Sequence, residues 1–74
     1  MRKDNIACIV EIENFLDSYD IEFQSIGNEI KAYLLDNEIH IIIGDLIEIY
    51  DSDNNIYKLK TIDEATKIIS ELIS

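Results

Sequence analysis

From Ile21 to Ile43 apolar residues recur with a period of two, in three short runs separated by Gly27-Asn28 and Asp36-Asn37. That period sends alternate side chains to opposite faces of a strand, so the stretch predicts a sheet with one buried face and not a helix. Gly, Asn and Asp tolerate positive φ, so each dipeptide reads as a two-residue hairpin loop. The runs Ile21 to Ile26, Glu29 to Leu35 and Glu38 to Ile43 therefore predict an antiparallel meander.

Two of the loops test the register independently. A loop at Asp36-Asn37 would pair Leu34 with Ile39, Ala32 with Ile41 and Ile30 with Ile43, and a loop at Gly27-Asn28 would set Phe23 beside Ala32 and Ile21 beside Leu34. All of these positions are apolar, whereas a slip of one residue would turn the whole set to the other face. The predicted covered face is Phe23, Ile30, Ala32, Leu34, Ile39, Ile41 and Ile43. The opposite face would carry the rows Glu22-Tyr33-His40 and Gln24-Lys31-Ile42, with Ile26 and Leu35 as further apolar members. After Gly44 the register stays open: a two-residue loop aligns Ile47 and Ile49 with His40 and Ile42, and a three-residue loop ending at Leu46 aligns them with Ile41 and Ile43. Strands at Leu46 to Tyr50 and Ile56 to Lys60 complete a sheet of four to five strands.

A helix is expected on each side of the sheet in the chain. Over residues 4 to 19, with Asp4 as N-cap, Cys8, Ile9, Ile12, Phe15, Leu16 and Tyr19 recur at helical spacing. Thr61-Ile62-Asp63-Glu64 reads as a capping box, followed by the stripe Ile62, Ala65, Ile68, Ile69, Leu72, Ile73. The expected fold is α+β: N-terminal helix, antiparallel meander, C-terminal helix. At 74 residues it forms one domain with one core.

Charge narrows the function classes. Sixteen Asp and Glu against six Lys and Arg give a formal net of −10. Residues 4 to 53 hold thirteen acids and one base, Lys31, a net of −12. Such a surface repels phosphate backbones and anionic membranes, which excludes direct nucleic-acid binding and favours a basic protein surface as partner. One cysteine, Cys8, allows no internal disulfide, which suits a reducing cytoplasm. Met1-Arg2-Lys3-Asp4 does not lead into a signal-peptide apolar segment, and no run reaches the ~18 apolar residues of a membrane span.

No residue pattern predicts catalysis, a cofactor or a metal. Asp51-Ser52-Asp53-Asn54-Asn55 opens like a calcium loop, but Ile56 stands where the turn needs Gly and Ile62 where a bidentate Glu is needed, so it reads as a hairpin turn. His40 has no second His, nucleophile or cysteine in a catalytic arrangement and is expected to pack beside Tyr33. Gly27 and Gly44 are isolated hairpin residues, not a phosphate loop. Tyr33, Tyr50 and Tyr57 are expected near one another, a residue type enriched in protein interfaces.

In its size, acidity and meander of short strands rich in Ile, Asn, Asp and Lys, closed by Ile62 to Ser74, the chain resembles proteins of phages and mobile elements of low-GC bacteria. Among these are anti-CRISPR and anti-restriction inhibitors of host defence, several of which present carboxylates where DNA phosphates would lie. The resemblance covers general character and assigns no individual residue. It implies a non-enzymatic inhibitor occupying a basic, nucleic-acid-binding surface. The partner-binding residues would be Asp17, Asp20, Glu22, Glu29, Asp36, Glu38 and Asp45 along one flank, with Tyr33 and His40. Two other readings are a self-associating accessory protein, a homodimer joined through Ile26, Leu35 and Ile42, and a small-ligand binder with a pocket between helix and sheet.

Overall fold

The computed structural model describes residues 3–73. Helix α1 (Lys3–Ser18) leads into five strands, β1 (Glu22–Ile26), β2 (Glu29–Tyr33), β3 (Glu38–Ile43), β4 (Ile47–Tyr50) and β5 (Ile56–Leu59), and helix α2 (Ile62–Ile73) follows. The strands form one antiparallel sheet in the order β1-β2-β3-β4-β5. Both helices pack on the same face, α1 over β1 to β3 and α2 over β4 and β5. Asp4, the expected N-cap, already has helical backbone; its side chain lies outside the described residues.

The covered face holds the core. Ile30, Ala32, Ile39, Ile41 and Ile49 are fully buried beneath Ile12 and Leu16 of α1 and Ala65 and Ile69 of α2. Cys8, Phe15, Ile62, Ile68, Leu72 and Ile73 pack around this centre. Tyr19, expected on the α1 stripe, is half exposed, because α1 ends at Ser18 and Tyr19 lies in the turn beyond it, tilted against Phe15 at 5.0 Å.

Of the first three of the four hairpin turns, two follow the residue chemistry. Ile26 pairs with Glu29 across Gly27-Asn28, with Gly27 at φ 60°, and Phe23 lies opposite Ala32 as expected. The open choice at Gly44 resolves to the three-residue loop, which aligns Ile47 with Ile43 and Ile49 with Ile41. The middle turn departs from expectation. It centres on Leu35-Asp36, Leu34 N–H bonding to Asn37 O at 2.7 Å, so Ile39 faces Ala32 and Ile41 faces Ile30. Neither Asp36 nor Asn37 has positive φ. Asn37 instead accepts hydrogen bonds on its side-chain oxygen from the Ser52 backbone N–H (3.0 Å) and hydroxyl, tying the β2–β3 turn to the β4–β5 loop. The shift of two residues preserves each side chain's face.

α1 terminates in a Schellman motif. Ile21 N–H bonds to Leu16 O (3.0 Å) and Asp20 N–H to Asp17 O (3.0 Å), with Asp20 left-handed at φ 57° and Ile21 packed on the core. At α2 the Glu64 N–H donates to the Thr61 hydroxyl (3.2 Å) as the capping box requires. The Glu64 carboxylate accepts from that same hydroxyl (3.1 Å) instead of reaching back to the Thr61 backbone.

Candidate functional site

With both helices on one face, the other face of the sheet is left open. Its register rows run Glu22-Tyr33-Glu38, then Gln24-Lys31-His40-Tyr50-Ile56, then Ile26-Glu29-Ile42-Glu48-Lys58. The two-residue shift thus places Glu38, not His40, beside Tyr33. His40 stands between Lys31 and Tyr50, with its Nδ1 3.4 Å from Glu29 Oε2. Lys31 pairs with Glu38 at 3.2 Å, which holds the ammonium pKa above its usual value, and lies 6.0 Å from the Tyr33 ring centre. The Tyr50 hydroxyl donates to Glu48, and this bond, with burial and the Glu48 charge, raises the phenol pKa. The three tyrosines do not form a cluster: Tyr33 and Tyr50 share the open face but stand in different rows two strands apart, and Tyr57 in β5 faces the core. Leu35 is not on the sheet face either; it projects from the turn, 99% exposed.

The expected binding residues divide between the two ends of the sheet. At the Gly44 end lie Asp45, Lys60 and the starts of both helices, where Asn5, Cys8, Gly44, Ile47 and Ile62 line a shallow cleft. At the Leu35 end the chain brings together Asp17, Asp20, Glu22, Asp36, Glu38 and Asp53. A shallow groove there, lined by Asp20, Ile21, Glu22, Tyr33, Leu34, Leu35 and Ile73, connects the end of α2 to the open face. Glu29 and His40 sit further along that face. Asp45 is apart from the group, so the acids do not form one continuous flank.

The Leu35 end also receives the C-termini of both helices, since α1 turns into β1 at Asp20 and α2 ends beside Leu34 and Leu35. Each helix C-terminus carries roughly half a negative charge. Asp17 and Asp20 sit at the negative pole of α1, whose last turn has no basic residue. A carboxylate in that position is locally unfavourable, by roughly 0.3 to 1 kcal/mol. The sequence signal for this convergence was weak: helix lengths and turn positions imply it only once both helices are known to share a face.

The Asp51 loop is closed by its own carboxylate. Asp51 Oδ1 accepts from the backbone N–H groups of Asp53 and Asn55 (both 2.9 Å) and Oδ2 from the Asn55 side chain (3.0 Å), with Asn54 left-handed at φ 67°. Burial pushes the Asp51 pKa up, but the bonds from Asn55 and Asp53 outweigh it and hold the carboxyl below its usual value. A depressed folded-state pKa contributes stability above the unfolded value, about 3.9, and loses it as pH falls through the folded one. Asp51→Asn is therefore expected to lower the urea midpoint at neutral pH. The gap from the unmodified protein should close as pH drops below about 4; a gap independent of pH would exclude this role. Among the described residues no group of three or more His, Cys, Asp or Glu is arranged to hold a metal ion. No described helix is long and apolar enough to cross a membrane.

The chain matches no family model, no curated protein and no solved structure.

Proposed function

We propose that this chain is a non-enzymatic protein-binding module whose acidic Leu35 end docks on a basic surface of another protein, as an inhibitor occupying a nucleic-acid-binding face of a host defence protein would. The observation that carries the reading is the gathering of Asp20, Glu22, Asp36 and Asp53 along the grooves beside exposed Leu35 and Tyr33, with Glu38 next to Tyr33 in register and Asp17 in the last turn of α1, at the end where both helices terminate. Asp20 suits the left-handed position that ends α1, but Asp17 gains nothing in folding from its place at the helix's negative pole, whereas a Lys- or Arg-rich partner would be attracted to both. Tyr33, flanked in register by Glu22 and Glu38 and with the Lys31 ammonium 6.0 Å from its ring centre, is exposed and adds aromatic contact area to this end.

The test is a salt titration of the complex. Protein retained from a bacterial lysate at low ionic strength is identified, purified and titrated against this chain by calorimetry. Affinity is expected to fall steeply with salt, because exposed charges are screened beyond about 8 Å at physiological ionic strength. Tyr33→Ala should leave the association rate nearly unchanged and raise the dissociation rate by roughly tenfold or more, since a packed aromatic acts mainly on dissociation. Affinity independent of salt would overturn the electrostatic reading.

A further inference from the structure

We infer that the β1 edge of the sheet pairs with the β1 edge of a second copy of this chain, joining two five-stranded sheets about a two-fold axis at Gln24. The turn at Gly27-Asn28 makes Ile26 and Glu29 a hydrogen-bonded pair, and the alternation of antiparallel bonding then assigns Glu22, Gln24 and Ile26 to β2. The N–H and C=O groups of Phe23 and Ser25 point out of the sheet. An unpaired row of this kind is a template for another strand, and proteins usually blunt it with Lys, Pro or a bulge. β1 has none of these, and every residue of it has a partner in β2 without a bulge. The other edge, β5, carries Lys58.

The second copy fits by register and charge. An antiparallel pair centred on Gln24 sets Phe23 against the partner's Ser25, satisfying the four outward groups of each strand, and sets Glu22 against the partner's Ile26, so no two like charges stand opposite each other within the paired strands. Apolar side chains bracket the same edge. Ile26 is 76% exposed on the open face, and on α1 Ile6 and Val10 are about half exposed. Cys8 lines the cleft next to Ile47 and Ile62, on the side of α2. Ile6 and Val10, each two residues from it, lie roughly 160° around the helix on the side where β1 ends the sheet. Two-fold pairing brings both copies of this strip toward the axis and closes the assembly at two chains, whereas head-to-tail β1-to-β5 pairing would build a larger ring or an open filament.

This inference is independent of the basic-partner reading and has the opposite salt dependence. Two chains of net −10 repel, so the dimer strengthens as salt rises while the complex with a basic partner weakens. Sedimentation from micromolar to millimolar concentration is expected to show a shift from 8.6 kDa to twice that mass, at lower concentration in high salt. Hydrogen exchange should show the Phe23 and Ser25 amides gaining protection as the dimer forms. Ser25→Pro removes an outward N–H that β2 does not use, and Gln24→Lys sets two like charges against each other at the axis; either should abolish the dimer over this range, and Ile56→Lys on β5 should not. A single 8.6 kDa species throughout overturns the proposal. So does a dimer whose Phe23 and Ser25 amides stay unprotected, an outcome legible in the unmodified protein even where a variant fails to fold.

Discussion

Ile41→Ala is expected to lower the free energy of unfolding by about 2 to 5 kcal/mol, the range for removing a large aliphatic side chain from a packed core. Ile41 is fully buried at the centre of the middle strand, between Ile30 and Ile49 on its neighbours and under both helices. The site cannot collapse easily, because the flanking positions belong to a sheet held in register by two strands on either side. For a small domain whose whole stability is on the order of 5 to 15 kcal/mol, this loss populates the unfolded state measurably. Urea denaturation followed by circular dichroism should show a lower midpoint at unchanged slope. An unchanged midpoint would remove Ile41 from the core. The same substitution at Ile42, on the open face and only partly buried, should cost much less.

Charge reversal at the Leu35 end is expected to abolish partner binding without unfolding the chain, and to raise stability. Asp17 and Glu22 are exposed, and exposed carboxylates contribute little to folding. Replacing Asp17 by Lys also puts a cation at the negative pole of α1, a gain of roughly 0.3 to 1 kcal/mol. Asp20 is better changed to Asn than to Lys, because its φ of 57° favours Asn over longer side chains. The combined variant Asp17→Lys, Asp20→Asn, Glu22→Lys should melt no lower than the unmodified protein and fail to bind the basic partner. Retained affinity in a folded variant would sink the docking site. Glu22 itself belongs to β1 and faces Ile26 of the second copy in the edge pairing, so the double variant Asp17→Lys, Asp20→Asn, which leaves β1 unchanged, is the one that separates loss of partner binding from loss of dimerisation.

The order of elements and the face of each strand residue were legible in the sequence because both rest on parity. A side chain's face depends only on whether its position is odd or even within a strand, so the two-residue displacement of the middle turn left Ile30, Ala32, Ile39, Ile41 and Ile43 in the core. Cross-strand neighbours do not share this protection. The pairing of Tyr33 with Glu38 in place of His40 depends on where the turn sits, and Asn37 was drawn away from the turn by Ser52, fifteen residues on. Local propensity contains no information about such a distant donor.

By itself, the sequence determined an α+β meander with a helix at either end, and an acidic load of thirteen Asp and Glu against one Lys between residues 4 and 53. Only the tertiary structure decided where that load is concentrated. Placing both helices on one face, running toward the same end, brings two negative helix termini and the carboxylates of Asp17, Asp20, Glu22, Asp36, Glu38 and Asp53 to the Leu35 end of the sheet, and leaves Asp45 at the far end. The physical reason is that electrostatic potential depends on distances in space between charges, and in this fold those distances are set by buried apolar contacts that carry no charge.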